Sequence, residues 1–188
     1  KFGTLLQDIE KAKKESRGGS MKQIGLLTGR LSYGLDRAMV GMVFLLVAAM
    51  VIVTTLQVVF RVFFNALTWS EELSRYLLVW GTFFGATLAY KRGNHIAVTF
   101  MVDLLPGRVR TAFRILSYVL SMVFFVIIAV QGFKMIQMQV FQISPAMSLP
   151  MKHVYLAIPL SLLIMTVHSV SGMFETFYAD EEERGAAK

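Results

Sequence analysis

Histidine offers the most versatile chemistry in this apolar chain, and there are three: His95, His153 and His168. A membrane cytochrome ligates haem through histidine pairs at matching depth on facing helices. His95 falls in a polar connection, His153 near the opposite boundary and His168 inside an apolar run. No two share a depth, so the set does not make a haem site. His168 reads instead as a hydrogen-bonded packing residue. Its neighbours Thr166, Ser169, Ser171 and Gly172 are the small and polar types that hold membrane helices together. The chain has no cysteine, which excludes disulfides, cysteine-based zinc sites and thiol catalysis. It carries no nucleotide-binding glycine loop, no paired carboxylate at depth and no nucleophile motif. A self-sufficient carrier calls for ionisable groups at mid-depth and broken helices. Gln57 is the one strongly polar side chain of the first apolar run, and Pro159 the one candidate kink of the last. An independent enzyme, carrier or redox subunit would have little here to work with.

The elements that hold these residues follow from hydropathy. Of 188 residues, 55% are hydrophobic and 16% charged, where a soluble domain carries about a quarter charged. Crossing a bilayer takes roughly 20 mostly apolar residues in a helix. The expected spans are 38–60, 73–90, 115–133 and 154–178. The second holds Arg75 near its start, where it can snorkel or pair with Glu71 one turn earlier. In residues 21–37, Ile24, Leu27, Leu31 and Leu35 recur at helical spacing, which predicts a short amphipathic helix lying in the interface, the alternative being an N-terminal extension of span one. The expected fold is therefore an all-α integral membrane protein with four transmembrane helices and an N-terminal interfacial helix. Residues 1–20 are polar and end in Gly18-Gly19-Ser20 before Met21. They read equally as a natural extension or an appended segment. No cleavable signal pattern precedes the first apolar run.

Charge orients these spans. Fifteen of the nineteen Lys and Arg residues lie before span one, in the 91–114 connection or in the 179–188 tail. Four lie in the connections around 61–72 and 134–153. The positive-inside rule then puts both termini and the 91–114 connection in the cytoplasm. The net charge of +7 reflects topology and contact with anionic lipid headgroups, not nucleic-acid binding. Thr68 or Ser70 is suited to cap the second helix, with Glu71 and Glu72 complementing its dipole. Pro145 and Pro150 should end any helical extension of span three.

The run Trp69-Ser70-Glu71-Glu72-Leu73-Ser74-Arg75-Tyr76-Leu77-Leu78-Val79-Trp80, followed by Gly81-Thr82-Phe83-Phe84-Gly85-Ala86 and Lys91-Arg92-Gly93-Asn94-His95-Ile96, resembles a known signature. It is similar to the small membrane subunit of tripartite ATP-independent periplasmic (TRAP) transporters, the DctQ/SiaQ type. The resemblance implies a bacterial inner-membrane protein that scaffolds a large multispanning subunit and helps dock a periplasmic substrate-binding protein. It implies uptake of an organic acid, such as a sialic acid or dicarboxylate, driven by sodium. Sodium coupling would belong to the large subunit, leaving this chain without a cofactor or metal. In that light Trp69, Glu71, Glu72 and Arg75 become candidates for helix-end fixation and subunit contact. Trp80 and Gly85 become candidates for helix packing, and Arg92, Gly93 and His95 for organising the cytoplasmic turn.

Overall fold

The computed structural model describes the backbone of residues 2–102 and 107–186, and the side chains of 25–93 and 109–178. Among the described residues five helices follow one another: α1 (Phe2–Phe63), α2 (Thr68–Val102), α3 (Gly107–Met138), the single turn α4 (Lys152–Tyr155) and α5 (Ala157–Ala186). Three described stretches are long and apolar enough to cross a membrane: Gly25–Phe63, Val109–Met138 and Lys152–Tyr178. The second expected span is not among them. α2 is long, but Ser74, Arg75, Thr82, Thr87 and its glycines dilute its apolar character.

Packing divides the long helices into two hairpins. α1 lies against α2, α3 lies against α5, and α5 joins the hairpins by touching α2 and α1. α5 is accordingly the inner helix. Half of its most apolar window (50%) is buried, against 11% for α3 and 0% for α1. One core cluster, Phe125, Ala129, Leu162 and Met165, fills the space between α3 and α5, with Ala86 and Tyr90 of α2 packed on it. A second, Met39, Phe84 and Ile164, sits where α1, α2 and α5 converge. Small residues let the helices come close. A Cβ on Gly172 would stand 2.7 Å from the Tyr118 ring, and one on Gly132 would stand 3.2 Å from Pro159. α3 and α5 thus pinch together at both ends of their crossing.

Several boundaries differ from the expectation. No break separates residues 21–37 from the first span, because α1 is continuous and no proline interrupts its hydrogen-bond ladder. Leu27 and Leu31 point away from the bundle, being 66% and 56% exposed. The face turned inward carries buried Ser32 and Met39, with Leu35 packed against the same core, so a mixed polar and apolar face makes the helix contact. α2 likewise runs to Val102, well beyond residue 90. Arg92, Gly93 and His95 therefore lie on a helix and do not form the turn. Residues 103–106 lie outside the described residues, as do the His95 side chain and those of 1–20. α3 stops at Met138, ahead of Pro145 and Pro150. Pro159 sits in the first turn of α5, and α4 ends at Tyr155. That is the carbonyl a proline four residues later cannot bond and sterically displaces.

Candidate functional site

The outer end of the bundle is built around Glu72. It stands in the first turns of α2, whose axis carries it toward the connection between α3 and α4. That connection folds back on itself through an isolated antiparallel bridge between Ile143 and Pro150. Ser148, at φ 54°, lets its turn close. Glu72 Oε2 accepts hydrogen bonds from the amides of Ala146 (3.1 Å) and Met147 (2.8 Å). Its Oε1 accepts one from the Tyr76 hydroxyl at 2.8 Å. The buried Ser144 hydroxyl lies beside the same pair without a hydrogen bond of good geometry. Desolvation alone would raise the Glu72 carboxyl, but the surrounding donors outweigh it and hold it below the ordinary carboxylate value. Glu72 thus ties the start of α2 to a connection 74 residues later in the sequence.

Glu71 and Arg75 form the expected pair one turn apart, with side chains 63% and 72% exposed. Such an exposed pair contributes little to stability. Trp69 is 39% exposed, so neither Trp69 nor the Glu71–Arg75 pair is used up by the chain's own core. Ser70 is fully buried, and its hydroxyl donates to the Leu67 carbonyl at 2.8 Å. It closes the turn before the helix and does not accept from the helix amides as a cap would. Trp80 packs edge-on against Phe84 at 5.2 Å and belongs to the second core cluster. Gly85 does not mediate a close helix approach within this chain. A Cβ there would meet nothing within 4 Å, and the same holds for Gly81 and Gly93.

At the inner end, polar residues gather that spacing alone did not single out. Ser32 Oγ and His168 Nδ1 are 2.8 Å apart, linking α1 to α5. Lys91 Nζ donates to the Ser32 carbonyl at 3.0 Å and lies 5.7 Å above the Tyr33 ring. Ser169 donates to the Tyr118 carbonyl at 2.9 Å, tying α5 to α3. Arg92, whose side chain is exposed, approaches the largely buried Asp36 carboxylate at 3.8 Å. His168 is thus the hydrogen-bonded packing residue its surroundings predicted. The recurrence of Thr28, Ser32 and Asp36 at four-residue steps on α1 was the available signal for its partners.

The two ends brace a helical framework, and among the described residues no group of His, Asp or Glu is arranged to hold a metal ion. Comparison with known proteins agrees. A protein of Haemophilus influenzae described as a TRAP transporter small permease protein is 25% identical over 149 residues, covering 79% of this chain and 92% of its own length. The sialic acid TRAP transporter small permease protein SiaQ of Vibrio cholerae is 37% identical over 86 residues, 45% of this chain and 47% of that protein. The isethionate TRAP transporter permease protein DctMQ of Oleidesulfovibrio alaskensis is 32% identical over 108 residues. That match takes in 54% of this chain but only 16% of the relative. Residues 50–178 match the family described as tripartite ATP-independent periplasmic transporters, DctQ component. The chain belongs to that family, and is a membrane-embedded transporter subunit with no enzymatic role.

Proposed function

We propose that this chain is the small scaffold subunit of a TRAP transporter in a bacterial inner membrane. It braces a large sodium-coupled permease that carries an organic acid such as a sialic acid or a dicarboxylate. The observation that carries the reading is the bare apolar surface of the bundle. None of the most apolar window of α1, and only 11% of that of α3, is covered by the chain itself. Large side chains such as Phe44, Leu45, Phe124 and Ile127 remain exposed there. Lipid covers such surface, and so does a second membrane protein. The match to a short part of the much longer DctMQ chain supports a working partnership with a larger permease. In this reading α2 crosses the bilayer as the fourth span, both termini are cytoplasmic, and the end clasped by Glu72 faces the periplasm. There it is available to a substrate-binding protein. No cofactor or metal is assigned to this subunit.

Affinity purification in mild detergent should co-isolate a much larger multispanning protein. Uptake by the reconstituted pair should require sodium and the periplasmic protein, without ATP. Arg75→Ala should weaken assembly or uptake while leaving insertion intact. A sodium-driven carrier reconstituted from this chain alone would overturn the proposal.

A further inference from the structure

Past the end of α3 the chain stays apolar. Phe141 is 93% exposed, more than any other large apolar side chain among the described residues, and Met138 is 75% exposed. No charged residue occurs from Met135 to Met151, and the flanking cations are Lys134 and Lys152. The connection is nevertheless folded. The amides of Ser144 and Met151 bond to carbonyls within it, and Glu72 holds those of Ala146 and Met147. Phe141 is therefore exposed on an ordered segment.

Its setting follows from α3. The Gln139 amide still bonds to the Met135 carbonyl at 3.2 Å, and that of Gln142 to the Gln139 carbonyl at 3.1 Å, so the turn carries on past Met138. Leu120, Ile127, Lys134 and Phe141 recur at seven-residue steps, nearly two turns each, which aligns them along one side of the helix. All four are exposed, whereas Phe125, Ala129 and Gly132 form the buried side. Phe141 thus continues the bare outer row of α3. Depth says what covers that row. The apolar stretch ends at Met138, and the rise from Tyr118 to Met138 is about 30 Å, the thickness of the hydrocarbon core. Phe141 then lies about 5 Å past the core's edge, within a headgroup layer about 5–7 Å deep on each side. Lys134 separates lipid from a second membrane protein as the cover. Among the described residues it has no acidic partner, and a protein contact there would strand its charge. Beside lipid its stem lies along the acyl chains while its ammonium reaches the phosphates. α1 ends in a similar order, with Arg61 followed by the exposed Phe63 and Phe64.

We propose that the start of the α3–α4 connection is seated in the outer headgroup layer of the membrane, with Phe141 as its apolar anchor and Lys134 on the lipid phosphates. The occupant of this surface is the lipid itself, and the contact sets the depth of the α3–α5 hairpin. The orientation proposed above enters only in naming the leaflet.

The test uses the full chain, which has no native cysteine, carrying one spin-labelled cysteine at a time. Ile127→Cys, Met138→Cys, Phe141→Cys and Ala146→Cys are reconstituted in vesicles of phosphatidylethanolamine and phosphatidylglycerol. Collisions of each label with oxygen, which enters lipid, and with a water-soluble nickel chelate report depth whichever way the chain inserts. The readout is therefore independent of the permease partnership and of the orientation. The oxygen-to-nickel ratio should fall in the order 127, 138, 141, 146, with 141 well above 146. Phe141 is outside the core clusters, so its replacement spares the fold, and Met138→Cys reads the same boundary independently. A ratio at 141 equal to that at 146 would overturn the proposal in favour of a water-facing surface for a soluble protein. Exclusion of both reagents from 141 would overturn it in favour of a contact between copies of this chain.

Discussion

Glu72 and its neighbour Glu71 are adjacent in sequence and nearly identical in chemistry, yet they do different things. Glu71 pairs with Arg75 in solvent, whereas Glu72 receives two backbone amides and a tyrosine hydroxyl. Glu72→Gln keeps the side chain's shape but weakens every acceptor bond, so thermal unfolding in detergent should occur at lower temperature. Glu71→Gln should leave it nearly unchanged, as for other exposed pairs. The contrast should depend on pH. The Glu72 pKa is lowered in the folded state, so its stabilisation is fully present above the ordinary value near 4.5. It is lost as pH falls through the lower folded-state value. A melting series of wild type and Glu72→Gln from pH 7 downward should show the difference shrinking only in that acidic window.

The glycines separate two kinds of contact at the level of helices. Gly172 lets α5 meet the Tyr118 ring on α3, and an added Cβ there would overlap it. Gly172→Ala should therefore destabilise the chain by about 1–3 kcal/mol, the usual cost of overpacking. Gly85 on α2 faces open space, so Gly85→Ala should leave the isolated chain unchanged or stabilise it by about 0.5–1 kcal/mol, because alanine favours the helix. If Gly85 meets the permease, the same substitution should lower recovery of the complex while leaving the chain's own melting temperature intact. Unchanged co-purification of the Gly85→Ala chain would remove that residue from the contact surface. The connection at the outer end works with these contacts. Pro159 interrupts the helix between α4 and α5, and the Glu72 clasp holds the turn that precedes the interruption.

For the molecule as a whole, the absence of native cysteine makes orientation measurable with single reporters. Ala66→Cys and Ala146→Cys lie on the two connections at the end clasped by Glu72, and both positions are exposed. They should react with a membrane-impermeant maleimide in intact spheroplasts. Lys188→Cys should react only after lysis. Labelling of all three positions from outside would contradict cytoplasmic termini.

Hydropathy and charge were legible without a structure because they are sums along the chain. The apolar runs of α1, α3 and α5, the one-sided placement of Lys and Arg, and the Glu71–Arg75 pair each follow from local sequence and helical spacing. The span-two signature carried the family resemblance in the same linear way. The rest depended on which faces meet. Leu27 and Leu31, expected on the apolar face of an interfacial helix, stay exposed on the continuous α1, which turns Ser32 and Met39 inward, where α5 offers His168 and Ile164. Gly85 read as a candidate packing glycine, but within the chain the close approaches fall at Gly25, Gly132 and Gly172. In lipid an apolar face gains little by turning inward, so hydrophobicity does not choose the helix contacts. Small residues and hydrogen-bonding partners choose them, and those partners are far apart in sequence. Sequence alone therefore determined that this chain is a membrane helical bundle of this family. Only the tertiary structure decided that its second helix begins at a carboxylate clasp and passes a polar cavity at Tyr90 and Lys91.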